Sequence, residues 1–239
     1  MFQLPKNEPQ IPIDTPRNFF IFGETMSGKS YLANEFPNPY IINTDGNAKA
    51  NTVPAYQLQN VKDKTGKITS SVIDQLAEII LALQTQNHTY ETIVIDVIDD
   101  VIEMIRVAVC NEYGVKNLKD VPWGAGRESF NNVLNELVLD LKSLPMNVIY
   151  ISRQITKTKN DVEIFLPSLK ETYVNIINGN ADLMIQTQKI GNNYSRRVDR
   201  RRKAYKADQV DDSKILSILK TIRGALDSAT AKTTQQDKF

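Results

Sequence analysis

Residues 23–30 read GETMSGKS. Two glycines five positions apart, followed directly by Lys and Ser, satisfy the pattern G-x-x-x-x-G-K-[ST]. That spacing has a chemical purpose. Gly23 and Gly28 let the backbone turn tightly, so that the N–H groups of Glu24, Thr25, Met26, Ser27 and their neighbours point inward at phosphate oxygens. Lys29 reaches the β and γ oxygens, and the Ser30 hydroxyl is a magnesium ligand. A helix opening at Lys29 would add its positive end to the same site. Gly23–Ser30 therefore points to ATP with Mg2+. The competing reading is a purely structural glycine turn. The context weighs against it, because an apolar strand, NFFIF, runs straight into the loop.

A phosphate loop of this kind needs an acidic partner for the metal, carried at the end of an apolar strand. YETIVID supplies one, with Asp96 as the candidate metal residue. Asp99 and Asp100 follow closely, and carboxylates there are equally expected as solvated groups in the first turn of a helix. Asp45, in INTDGN, lies after another short strand. Two readings of it stay open: a carboxylate that polarises the attacking water, or an ordinary Asp-Gly turn. Arg153 and Gln154 follow the strand NVIYIS, and either is a candidate sensor of the γ-phosphate, since ligands in open α/β sheets bind beyond the carboxyl ends of the strands. Either is equally a solvated loop residue.

The elements that would hold these residues alternate. Strands are expected at 18–22, 40–44, 92–96 and 147–152, and helices from 29, over 71–86, 98–113 and 127–144, the longer ones marked by apolar residues at helical spacing. Segment 46–70 is polar, with a turn at 64–67, and 114–126 reads as a loop. The pattern argues for an α/β fold with a mostly parallel twisted sheet flanked by helices. After Ser152 the layout changes. Strands are expected at 164–166, 181–190 and 198–205, antiparallel toward the C-terminus, with a turn at 191–193 and a final helix over 213–226. The organisation expected is an N-terminal extension over 1–14, one domain over 15–226 and a frayed tail over 227–239.

Composition removes several alternatives. The chain has 239 residues, one Cys and one His. Cys110 cannot form an internal disulfide and reads as core. His88 and Cys110 together cannot build a zinc site. No apolar run approaches the roughly 20 residues of a membrane span, and the N-terminus lacks a signal pattern, so a cytoplasmic protein is expected. Net charge is +1, but 196–206, RRVDRRRKAYK, concentrates positive charge locally.

The order FIFGETMSGKS, IINTDGN, TIVID, NVIYISRQ, PSLKETYVNIINGNADLMIQTQK and RRKAYKAD resembles the RecA-like phage ATPases of the Sak group over roughly residues 15–225. The resemblance implies a RecA-like core that binds ATP, binds single-stranded DNA and promotes annealing or strand pairing, as a homo-oligomeric ring or filament in the host cell. A single-strand-binding protein is the partner that family analogy suggests. The family's catalytic carboxylate lands on Asp45, where relatives commonly have Glu. The DNA loops land on roughly 114–127 and 156–173, the latter offering Lys157 and Lys159 to phosphates.

Arg200, Arg201, Arg202, Lys203 and Lys206 admit three readings: DNA contact, cations supplied to a neighbour's nucleotide, with Lys203 and Lys206 the candidates, or a charged edge strand that blocks aggregation. Trp123, in VPWGAG, either stacks on a base or anchors its loop in the core, the slightly favoured reading. Two other functions stay open: a nucleoside or nucleotide kinase, with SRRVDRRR as an arginine-rich lid, and a non-catalytic ATP switch such as a helicase loader.

Overall fold

In a computed structural model of the chain, residues 6–7, 15–46 and 52–227 are described. The expected extension over 1–14 and tail over 227–239 therefore lie almost wholly outside the described residues. The remainder folds around one sheet. Its strands are β1 (Asn18–Gly23), β2 (Pro39–Asn43), β3 (Ala55–Gln57), β6 (Thr92–Asp96), β7 (Asn147–Lys159), β8 (Val162–Pro167), β9 (Leu183–Ile190) and β10 (Asn193–Arg201). The order across the sheet is β10-β9-β1-β7-β6-β2-β3, with β8 paired to the outer part of β7. Pairings from β9 to β3 are parallel, whereas β10 with β9 and β8 with β7 are antiparallel. A separate two-stranded hairpin joins β4 (Val61–Lys62) and β5 (Ile68–Ser70). The fold is thus mixed α/β with a mostly parallel central sheet.

The central strands β1, β6 and β7 carry buried apolar runs, Phe19–Phe22, Ile93–Ile95 and Val148–Ile151, because both faces are covered. In β1, Phe20 and Phe22 enter one core with the helices α2 (Val72–Thr85), α3 (Ile98–Glu112), α4 (Ala125–Ser143) and α5 (Glu171–Asn180). Phe19 and Ile21 alternate to the other face. There they meet α1 (Lys29–Asn34) and α6 (Ser213–Lys220). Helix starts follow local chemistry. Ser71 and Asp74 form a reciprocal capping box on α2, and Asp212 caps α6 through the N–H groups of Lys214 and Ile215.

Four expectations need correcting, and one element was not expected. Segment 46–70 contains β3, β4 and β5, all of two or three residues and too short to register as periodic. The expected turn at 64–67 is present, organised by the Asp63 carboxylate, which accepts from the N–H groups of Thr65 and Lys67. The strand beginning at Asn147 does not stop at Ser152 but continues to Lys159, so 156–167 is a hairpin rather than a loop. Residues 171–180 form α5, with Ile177 buried and Tyr173, Val174 and Ile176 packed against the core. The basic strand is shifted to Asn193–Arg201, leaving Arg202, Lys203 and Lys206 beyond it. Finally, α6 ends at Lys220, because Arg223 and Leu226 are drawn into bridges with Arg197 and Tyr205. Within 114–126, two short 3-10 turns, Leu118–Asp120 and Pro122–Gly124, lead into α4.

Candidate functional site

The loop 23–30 joins the carboxyl end of β1 to α1. Gly28 has φ +89°, a conformation in which an L side chain is strained. Gly23 is constrained by space instead. A Cβ there would overlap the carbonyl oxygen and Oγ1 of Thr187 and stand 2.5 Å from Ser27 Oγ. Thr187 lies on β9, directly beside β1, and its hydroxyl is 2.7 Å from Ser27 Oγ, which pins the loop to the sheet. Lys29 curls back over the loop: its Nζ donates to the carbonyls of Gly23 at 2.9 Å and Glu24 at 2.6 Å. Burial lowers its pKa, opposed by the charges of Asp96 and Asp99.

The Ser30 hydroxyl donates to Asp96 Oδ2 at 2.6 Å. Asp96 ends β6 and is 6% exposed. Burial raises its pKa, the Ser30 bond lowers it, and Asp45 raises it further. Asp45 follows β2, which is the parallel neighbour of β6, so the sheet does bring these two carboxylates close.

Beyond Asp96, the first turn of α3 presents Asp99 and Asp100 to the root of the β7–β8 hairpin. Arg153 Nη1 and Nη2 donate to the two oxygens of Asp100 at 2.7 and 2.8 Å, and Thr44 Oγ1 donates to the same carboxylate at 3.1 Å. Asp99 accepts from Ser168 Oγ. These two carboxylates are thus structural anchors with named partners. The bond from Arg153 holds the Asp100 pKa below the usual carboxylate range.

A family model described as AAA domain matches residues 15–211. The chain belongs to the AAA-domain family. No curated protein matches it. Domains of this family are P-loop ATPase-type domains that generally use ATP and Mg2+.

The oxygen pair Ser30–Asp96 fits such a metal. An octahedral magnesium about 2.1 Å from each oxygen spaces adjacent ligands about 2.9 Å apart, a few tenths of an ångström wider than the pair here. Among the described residues, no group of three or more His, Cys, Asp or Glu gathers to hold a metal alone. A magnesium in this AAA domain would complete its shell with phosphate and water.

Gln154 faces away from the acidic pair. Its Oε1 accepts from Gln186 Nε2 at 2.7 Å, and Gln186 Oε1 accepts from Arg197 Nε at 2.7 Å. Gln186 is buried on β9, so this relay crosses from β7 to β10 behind the loop. Arg153 and Gln154 are therefore both engaged, on opposite sides of β7.

The remaining candidates divide between the two ends of the sheet. Lys157 is exposed on the β7 arm, opposite Ile164. At Lys159 only the backbone is described. Trp123 does not anchor its loop in the core; it is fully exposed, with φ +60°. It precedes α4, whose Phe130 ring lies 5.5 Å from Tyr173 near the start of α5, so it stands at the same end as the hairpin root. The basic strand points elsewhere. Arg196 pairs with Thr187 beside the loop, but Arg200 and Arg201 pair with Met184 and Leu183 at the start of β9. That is about 13 Å further along the strand. There Arg201 meets Asp227 at 2.6 Å and Arg202 meets Asp182 at 3.5 Å, while Lys203 lies 5.4 Å from the Tyr205 ring centre. Arg200 and Lys206 are exposed. The structure does not bring Arg200–Lys206 to the chain's own phosphate loop. Nor is 195–202 a lid, because it is paired strand throughout most of its length.

Thr44, Ser168, Gln186, Thr187 and Tyr194 were not anticipated, and Arg196 was read only as part of the basic block and the arginine-rich lid. Nothing in the sequence marks β9 as the neighbour of β1, and that adjacency places four of the six. Among the described residues no helix is long and apolar enough to cross a membrane.

Proposed function

We propose that this AAA domain is a magnesium-dependent ATPase of RecA-like type that binds single-stranded DNA and promotes annealing or strand pairing, in phage recombination or replication. Lys29 holds the β and γ phosphates, Ser30 and Asp96 hold the metal, Asp45 orients water, and Arg153 meets the γ-phosphate after exchanging its Asp100 partner. The observation that carries the reading is the course of β7. It runs between the strand that opens the phosphate loop and the strand that ends in Asp96. It then leaves the sheet as one arm of a hairpin, with Arg153 at the root. An arm built this way lets a polymer bound outside feel the nucleotide inside.

Several features suit a nucleic acid on that arm. Ile155 and Lys157 share one exposed face of it, combining apolar contact with a phosphate-binding cation. Trp123 offers a stacking surface at the same end. Arg200, Lys203 and Lys206 at the far end are suited to act on the nucleotide of a neighbouring subunit in a ring or filament.

The deciding experiment measures ATP hydrolysis with and without single-stranded DNA, together with DNA binding by the wild-type chain and a Lys157→Glu variant. DNA-stimulated turnover that the variant loses is the expected result. Phosphoryl transfer to a nucleoside without any DNA effect would overturn it in favour of a kinase. ATP binding without turnover would overturn it in favour of a switch adaptor.

A further inference from the structure

We propose that Tyr194 and Tyr31 form the platform on which the nucleobase stacks, and that the site consequently accepts purine nucleoside triphosphates with little discrimination between adenine and guanine. The inference rests on the reading of 23–30 as a nucleotide phosphate loop. Its starting point is direction. The Ser30–Asp96 contact marks one side of the loop as the metal and γ-phosphate side. A nucleotide laid along the loop must then carry its base to the other side. On that side lies a cavity of about 570 Å³, lined by Met26, Tyr31, Tyr194 and Arg196 together with the loop itself. A volume of that order accommodates a nucleoside.

The two tyrosines are unusual for large aromatic side chains beside a cavity. Tyr31 is 72% exposed and Tyr194 57% exposed. Tyr31 immediately follows the metal-binding Ser30. Tyr194 comes from the β9–β10 hairpin, which folds back so that its ring lies over Gly28, 3.2 Å from where a Cβ would stand. The glycine therefore has a second role: it makes room for the ring. Lys189 Nζ lies 5.3 Å from the ring centre, an exposed cation–π contact weak enough to exchange for a base. Stacking between a base and such a ring is substantial and tolerant of base identity, because every base has a π face.

The polar lining explains the lack of discrimination. Ser27 is bonded to Thr187, Lys29 to loop carbonyls and Ser30 to Asp96. Arg196 is held by both oxygens of Glu35 and by Thr221. Lys29 and Ser30 serve the phosphates and the metal, and Ser27 and Arg196 are held within the fold, so the faces of the two tyrosines make the main contact with the base. Strong selectivity comes from hydrogen-bonding groups left unpaired by the wrong ligand, whereas apolar contact discriminates weakly.

The test is equilibrium binding of radiolabelled ATP with magnesium to the full chain, competed by ATP, GTP, CTP, UTP and inorganic tripolyphosphate. ATP and GTP should compete within about fivefold of each other, with the pyrimidines weaker because a single ring covers less of the tyrosine faces. Tyr194→Ala should weaken ATP and GTP about tenfold or more while leaving tripolyphosphate within about twofold, and Tyr194→Phe should restore the loss. Equal losses for ATP and tripolyphosphate would overturn the platform, since the ring would then be shaping the loop. So would unchanged ATP affinity in Tyr194→Ala, or ATP preferred over GTP by about 50-fold or more. If the wild-type chain binds neither ATP nor tripolyphosphate, the phosphate-loop reading itself fails, a result distinct from all of these.

Discussion

Arg153 grips Asp100 with both prongs of its guanidinium, at 2.7 and 2.8 Å, and thereby ties the root of the β7–β8 hairpin to the first turn of α3. The pair is partly exposed, at 45% and 29% of the two side chains, so its rupture costs on the order of 1 kcal/mol. An arginine in this state is available to a stronger anion. Arg153→Ala should lower ATP turnover by at least about 100-fold while ATP binding changes little, as measured by steady-state hydrolysis against equilibrium affinity. Arg153→Lys should not rescue, because a lysine lacks the two-pronged fork.

Asp96 should show opposed effects on stability and activity. Burial raises its pKa in the folded chain, so its ionised form destabilises the fold at neutral pH. Asp96→Asn keeps an acceptor for Ser30 and removes that charge. It should raise the melting temperature at neutral pH by a few degrees and abolish magnesium-dependent turnover. The sign reverses nothing at low pH. As pH falls through the raised pKa the wild-type residue takes up a proton, and below the ordinary carboxylate range the two melting temperatures should converge. Thermal unfolding across pH reads this directly.

Gly23→Ala should destabilise the chain by about 1–3 kcal/mol, the range for overpacking. The instructive control is the double variant with Thr187→Ala. It relieves the clash with Oγ1 but not the one with the Thr187 carbonyl, which is backbone. Denaturant titration should therefore find the double variant still destabilised relative to Thr187→Ala alone.

Trp123 is the only tryptophan, so the tryptophan fluorescence, excited selectively, is its own. Emission should be that of a solvated indole, and adding oligothymidine should quench it. Trp123→Ala should weaken DNA binding about 5- to 100-fold. Trp123→Gly should in addition raise stability by about 1 kcal/mol, because φ +60° suits glycine.

Lys157→Ala should reduce the salt dependence of DNA affinity by about one unit of slope. Arg200→Ala, at the opposite end of the sheet, should leave that slope unchanged and alter self-assembly instead. Salt titrations of DNA binding and sedimentation of both variants separate the two roles.

The site was legible where chemistry and spacing coincide within one segment. GETMSGKS, TIVID and the boundaries of β1, α1, α2, β6, α3 and α4 could be read because each is long or carries a strict pattern. What could not be read depends on which strands become neighbours. Thr187 matters because β9 lies against β1, and Gln186 because β9 lies between β1 and β10. No local signal encodes either adjacency. The missed helix α5 is different. Tyr173, Val174, Ile176 and Ile177 have helical spacing, but no element was expected there, because β-branched and aromatic residues are weak helix formers and it is packing against the core that fixes the helix. Trp123 failed for the converse reason: a large aromatic is usually buried, and here the two 3-10 turns before α4 hold it outward.

β7 is registered against β1 by six residue pairs and against β6 by five. A strand clamped on both flanks cannot slide, because a shift of one residue would turn every buried side chain to the wrong face. The arm from Ile155 to Lys159 is then a lever on a fulcrum at Arg153 and Gln154, both held by side-chain bonds. Its outer end can tilt but not advance, so whatever it conveys to the acidic residues beneath it is an angle rather than a displacement.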